Sequence, residues 1–123
     1  MRIQNLALLQ SRIPNFTWSN LECISSFKYY MDKNKHYEDI SMLDIEFLSN
    51  KDEINLRIQI RFKEIESFSI NASGKIIQLG IFDIVDIKED GWCALNFWIR
   101  DIECEVLNFY CNAIEVISVD QID

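Results

Sequence analysis

The residues of this chain best suited to chemistry are acidic side chains in its last third. Asp101, Glu103 and Glu105 alternate along the chain, so in an extended segment they would share one face. Four more carboxylates precede them: Asp83, Asp86, Glu89 and Asp90. Close carboxylates can act as acid and base, or hold a hard cation. The loop spacing of an EF-hand is absent, however, and no carboxylate lies in the apolar surroundings that tune a catalytic acid. The pattern favours a solvated acidic face, then an acidic partner-binding surface, and only third a catalytic or metal site.

Other candidate catalytic groups are few. His36 is the only histidine, and it lies in a charged connection with no nucleophile close to it in sequence. A general base needs a held imidazole, so we predict a solvated surface histidine. The sequence contains no glycine-rich phosphate loop, GxSxG elbow, HExxH motif or dinucleotide fingerprint. We therefore expect a protein that is not an enzyme and that uses no cofactor and no metal.

The four cysteines are Cys23, Cys93, Cys104 and Cys111, and no two of them have the two-residue gap of a metal knuckle or redox motif. They lie inside apolar runs, which predicts buried free thiols rather than disulfides. Residues 1–14 lack the apolar core and cleavage site of a secretory signal, and no apolar run approaches the length of a membrane helix. These features predict a cytoplasmic protein.

Charge is distributed unevenly along the chain. The net charge is −8, yet residues 1–82 hold ten acidic and ten basic residues, which cancel. Residues 83–123 hold ten acidic residues against only Lys88 and Arg100. Such a surface repels phosphate backbones, so we expect neither nucleic acid nor an anionic membrane as a partner. A basic protein partner is the natural complement.

The elements that must position these groups are predicted to be β-strands. Within residues 54–62, five apolar residues alternate without a break with polar or basic ones, which is the period of a strand with one buried face. The basic face of this strand, with Arg57 and Arg61, is expected to pair with Asp44 and Glu46 across the hairpin to the preceding strand. Further strands are predicted at residues 21–31, 41–48, 65–70 (with an irregularity near Glu66), 76–87, 92–99, 104–111 and 114–119.

Turns are predicted at residues 50–53, 71–74 and 89–91, and helical spacing before Pro14 predicts a short N-terminal helix. Residues 1–123 are expected to form a single domain. The fold class is mainly β: an antiparallel sheet, a sandwich or a partly open barrel of about seven to eight strands.

Two adjacent aromatic residues mark a possible interface. Phe97 and Trp98 have opposite parity in one predicted strand, so one of them should point away from the main core. Another element could cover it, or it could serve as an aromatic anchor for a partner. With Asp101, Glu103 and Glu105 nearby, Trp98 would then belong to an acidic, aromatic binding patch.

Three stretches carry a resemblance to a known group of proteins: residues 62–70 (FKEIESFSI), 82–87 (FDIVDI) and 107–116 (LNFYCNAIEV). With their spacing, they resemble small bacterial immunity proteins of polymorphic toxin systems and the relatives of those proteins. The resemblance spans residues 40–119 and rests on core-pattern residues. It implies a toxin-neutralising or other protein-binding role without a cofactor, and it assigns no catalytic residue.

Three functions follow, in order of preference. The first is a small acidic cytoplasmic binding protein, of the immunity type, that masks a basic toxin domain through Trp98, Asp101, Glu103 and Glu105. The second is a structural or regulatory β module that self-associates, as a homodimer, through a strand edge or an aromatic patch. The third is an enzyme that uses the acidic residues.

Overall fold

The structure is a computed structural model that describes residues 3–51, 53–71, 77–87 and 95–122. It contains one short helix, α1 (Leu6–Arg12), and a 3-10 turn at Trp18–Asn20. The seven strands are β1 (Cys23–Lys33), β2 (Asp39–Lys51), β3 (Ile54–Ile70), β4 (Ile77–Gln78), β5 (Phe82–Asp86), β6 (Phe97–Asp101) and β7 (Leu107–Gln121). Every pair of neighbouring strands is antiparallel. The predicted mainly β class and N-terminal helix are confirmed.

The strands form one sheet in the order β4-β1-β2-β3-β7-β6-β5, curled into a half-barrel. Of the three predicted architectures, the open sheet, the sandwich and the partly open barrel, the structure agrees with the partly open barrel. The predicted alternation in residues 54–62 is confirmed, because Ile58, Ile60 and Phe62 are buried on one face of the sheet. We call this face the inner face. Arg57 and Arg61 lie on the opposite, outer face, because successive side chains of a strand point to opposite sides.

The predicted hairpin is confirmed, with Ile45 opposite Ile60 and Asp44 opposite Arg61. On the outer face Arg61 binds Asp44 with its Nε 3.0 Å from Oδ1, and Arg57 Nε lies 3.2 Å from Glu46 Oε1. The two basic residues are therefore neutralised across the hairpin, as expected.

The curl of the sheet comes from irregularities within long strands. β3 continues through the expected irregularity, where Glu64 and Ser67 adopt positive φ angles of 59° and 54°. As a result the inner-face positions step from Phe62 to Ile65 and then to Phe68, three residues apart instead of two. The two strands predicted at 54–62 and 65–70 are thus one, as are those predicted at 104–111 and 114–119.

The segment predicted as one strand at 76–87 is interrupted at Leu79–Ile81, between β4 and β5. Gly80 lies there, and a Cβ atom at this position would be 2.7 Å from Glu103 Cβ and 2.9 Å from Cys104 Sγ. Only glycine tolerates this approach of the turn that connects β6 to β7. The predicted turn at 89–91, Trp92 and Cys93 lie outside the described residues, as does most of the predicted turn at 71–74.

The inner face is closed by the N-terminal segment. Leu9 of α1, Ile13 and Leu21 are buried in the same cluster as the inner-face residues of the strands. Gln4 attaches this segment to the sheet: its N–H donates to the carbonyl of Ile114, and its carbonyl accepts from Val116 N–H. Within the part of the chain that the structure describes, no helix has the length and hydrophobicity needed to span a bilayer.

The predictions for histidine and cysteine have mixed outcomes. His36 is exposed in the turn between β1 and β2, as expected. The thiols of Cys23, Cys104 and Cys111 are free, but only Cys111 is fully buried. Cys104 is exposed, so its prediction as a buried thiol is wrong: it lies in the turn after β6 and not in a strand.

Candidate functional site on the outer face of the sheet

The outer face of β6 and β7 carries a pair of stacked aromatic side chains. Trp98 lies opposite Tyr110 across the two strands, with ring centroids 6.0 Å apart and an interplanar angle of 17°. The Trp98 indole N–H donates a hydrogen bond of 2.8 Å to Asn108 Oδ1. Phe97, its neighbour in sequence, is buried on the inner face, while Trp98 is half-buried. The predicted opposition of Phe97 and Trp98 is confirmed.

Arg100 completes this aromatic surface. Its guanidinium carbon lies 4.4 Å from the centroid of the Trp98 ring, within the range of a cation–π contact. One of its terminal nitrogens is 3.3 Å from Asp83 Oδ2 on β5. Its Nε is buried, and among the described residues it has no hydrogen-bond partner. Trp98 is therefore held by Tyr110 and Asn108 on the neighbouring strand and by Arg100 on its own strand.

An open groove of about 430 Å³ runs beside Trp98. Its lining includes Ser69, Trp98, Arg100, Ile102, Glu105 and Asn108. We call it the Trp98 groove. Three of the four residues predicted from the sequence line it: Trp98 is half-buried, Glu105 is exposed and Asp101 is buried.

The prediction that Asp101 belongs to an exposed acidic face is wrong. Only 3% of its surface is exposed, and its carboxylate serves the fold. Oδ1 accepts hydrogen bonds from the N–H groups of Gly80 (3.0 Å) and Ile81 (2.8 Å), and Oδ2 accepts one from Val106 N–H (3.2 Å). Asp101 thus joins the β4–β5 connection to the β6–β7 connection, and both of its carboxylate oxygens accept backbone hydrogen bonds.

Glu103 and Glu105 are exposed, but they do not share a face with Asp101. The alternation assumed an extended segment, whereas residues 102–106 form the turn between β6 and β7. In this turn Glu105 has a positive φ of 52° and lines the Trp98 groove. Glu103 packs against Gly80 and is not among the residues that line the groove. The turn therefore separates the three carboxylates.

The structure adds residues that sequence reasoning did not select. Exposed Glu66 lies opposite Tyr110 in the register of β3 and β7, and half-buried Asp83 lies opposite Arg100 in β5 and β6. With Glu105, they place three carboxylates near the stacked rings, and of these Asp83 is paired with Arg100. Arg100 could have been selected by its spacing of two from Trp98. Glu66 and Asp83 could not, because their positions depend on strand registers.

A second polar cluster lies on the outer face of β1, β2 and β3. Tyr30 O–H donates to Asp44 Oδ2 (3.0 Å), while Arg61 contacts both oxygens of the same carboxylate. Burial, followed by the hydrogen bond with Asp44, raises the pKa of Tyr30. The hydrogen bond with Asp44 also raises the pKa of Arg61. Tyrosine stays neutral and arginine charged, so this cluster is a structural tie between three strands.

Within the described ranges, no group of three His, Cys, Asp or Glu side chains is arranged to hold a metal ion. Comparisons of the chain with protein-family models, with curated proteins and with solved structures give no match.

Proposed function

We propose that this protein binds a basic protein partner through the Trp98 groove and acts as an immunity protein that neutralises a bacterial toxin. The observation that carries the proposal is the stacked pair of Trp98 and Tyr110 on the outer face, bordered by the carboxylates of Glu66, Asp83 and Glu105. The resemblance in residues 62–70, 82–87 and 107–116 to immunity proteins of polymorphic toxin systems supports the same function.

The geometry of Trp98 suits a binding hot spot. Tryptophan is enriched among the few interface residues that account for most of the binding energy, and it works best when a polar rim excludes water around it. Here the rim is already present, and Trp98 is held by Asn108, Arg100 and Tyr110 before any partner arrives. Little side-chain entropy is then lost on binding.

The charge distribution supports a basic partner. The acidic excess of the chain lies in residues 83–123, which include β5, β6 and β7 around the groove. Opposite charge on the partner would speed diffusional encounter and select against acidic proteins. A nuclease toxin has a basic cleft for nucleic acid, and covering that cleft would neutralise it without any chemistry by the inhibitor. The free thiols are compatible with the cytoplasm as the place of action.

The first test needs the partner. Purification of the protein from its native host, with identification of the proteins that come with it, supplies the partner, and the proposal expects that partner to be a basic toxin domain. We expect calorimetry to show that Trp98→Ala weakens binding about 30-fold, the loss typical of an aromatic anchor. The control is Tyr37→Ala, which removes an aromatic ring that is 85% exposed in the β1–β2 turn. Equal affinity of the Trp98→Ala variant and the wild type would contradict the proposed site.

A second test separates local charge from total charge. Reversal of Glu66 and Glu105 to lysine should slow association and flatten its salt dependence in stopped-flow measurements. A control with the same net charge reverses two exposed acidic residues elsewhere, Glu38 in the β1–β2 turn and Asp120 near the end of β7. If both variants slow association equally, the groove has no special role in steering and the proposed orientation of the partner is wrong.

A further inference from the structure

Most of β1 lies at an edge of the described sheet. β4 pairs with β1 only at Cys23 and Ile24. Along residues 25–33, β2 is the sole strand next to β1 in the part of the chain that the structure describes. Among the residues that the structure describes, one side of this segment has no strand partner for its backbone N–H and C=O groups, which favours pairing with another strand. Its register with β2 is regular from Ser26 to Lys33, so the edge is straight enough to pair.

The inner face of this edge is apolar and exposed. Phe27, Tyr29 and Met31 are 41%, 48% and 60% exposed, although their neighbours on β2, such as Leu43 and Ile45, are buried. Phe68 stacks on Tyr29 with a centroid distance of 5.6 Å, which connects the stripe to the core. A strand added at this edge would bury these three apolar side chains, and such burial is a favourable contribution to the free energy of strand addition.

The charges on the outer face of the same edge are self-complementary. We propose that two copies of this chain pair through β1, antiparallel, about a two-fold axis at Tyr30. This arrangement places Lys28 opposite the partner's Asp32, and Asp32 opposite the partner's Lys28. On the inner face it places Tyr29 opposite the partner's Met31 twice, a favourable contact between sulfur and an aromatic ring.

Few other registers are possible. A two-fold axis perpendicular to the sheet keeps the inner faces of the two copies on the same side. One residue of β1 must therefore lie opposite the same residue of the second copy, and this residue defines the register. An axis at Lys28 would place two lysines opposite each other, and an axis at Asp32 would oppose two aspartates. Axes at Tyr29 or Met31 leave Lys28 without an opposite charge across the interface. Only the axis at Tyr30 pairs opposite charges twice.

The position of the edge in the sheet also favours self-association here. Each copy carries a net charge of −8, so two copies repel over most of their surface. Residues 25–33 carry Lys28 and Lys33 against Asp32, and the acid-rich strands β7, β6 and β5 lie at the other end of the strand order. None of residues 25–33 lines the Trp98 groove, so the existence of the dimer does not depend on toxin binding.

A charge-swap series tests both the interface and its register. A single pair of edge strands forms a small interface, so we expect a dimer dissociation constant on the order of 10 μM by analytical ultracentrifugation. Lys28→Asp or Asp32→Lys alone should raise it about tenfold, because each creates two like-charge pairs. The double variant Lys28→Asp/Asp32→Lys should return it to within about threefold of the wild type. Both residues are exposed, so the variants should fold.

Introducing charge on the inner face provides an independent check. Met31→Lys should give a monomer, whereas Leu8→Lys, on the exposed side of α1, should leave the dimer unchanged. A monomeric wild type at about 1 mM, a concentration far above the expected constant, would overturn the proposal. So would a dimer that is insensitive to the single reversals or that the double variant does not restore. None of these results would bear on the Trp98 groove.

Discussion

Asp101 offers the sharpest test of how this fold is held together. Its buried carboxylate accepts three backbone hydrogen bonds, two from the β4–β5 connection and one from the β6–β7 connection. The substitutions to compare are Asp101→Asn and Asp101→Ala. Asparagine keeps an oxygen that can accept from Gly80 and Ile81, but its amide nitrogen would face the N–H of Val106. Alanine removes all three acceptors.

The expected losses follow from these contacts. A hydrogen bond to a charged acceptor contributes about 1.5–3 kcal/mol, and a buried donor left without a partner costs a similar amount. Asp101→Asn loses one such bond, so we expect the free energy of unfolding to fall by about 1–3 kcal/mol. Asp101→Ala loses three, but Ile81 is 40% exposed, so water can satisfy part of the deficit. We expect a loss of about 3–5 kcal/mol, a large share of the 5–15 kcal/mol typical of small domains.

Urea denaturation followed by tryptophan fluorescence measures these differences. Asp120→Ala, at an exposed position near the end of β7, serves as the control and should change stability by less than about 0.5 kcal/mol. The order predicted is wild type, then Asp101→Asn, then Asp101→Ala. If alanine costs less than about 1 kcal/mol, or if asparagine is as damaging as alanine, the carboxylate is not acting as the shared acceptor and the reasoning is wrong.

Two further predictions concern thiols. Burial raises the pKa of Cys111, so above about pH 9 the unfolded chain loses this proton first, and stability should fall by up to ~1.4 kcal/mol per pH unit. Unfolding measured from pH 7 to 10 should show a shallower alkaline decline for Cys111→Ala than for the wild type; coinciding slopes would contradict the assigned burial. Exposed Cys104 should react with iodoacetamide in the native protein while Cys111 stays unmodified until urea is added, as peptide mass spectrometry can show. Equal rates at the two sites would be inconsistent with this structure.

The mainly β class and, in the most regular segments, the residues that face the core can be predicted from the sequence. Alternation of apolar and polar residues is local, and the strand period converts it directly into two faces, as in residues 54–62. The hairpin of β2 and β3 and the opposition of Phe97 to Trp98 follow from the same rule. The charge balance of the two parts of the chain can likewise be read without a structure.

Tertiary structure alone decided which side chains meet and which carboxylates face solvent. The neighbours of Trp98 depend on the registers of β5, β6 and β7, and those registers are set by long-range pairing that no local pattern encodes. Asp101 looks like an exposed acidic residue in the sequence, and it is buried because two distant turns bring N–H groups to it. A strand pattern shows where a side chain points, whereas its partners depend on how the sheet curls.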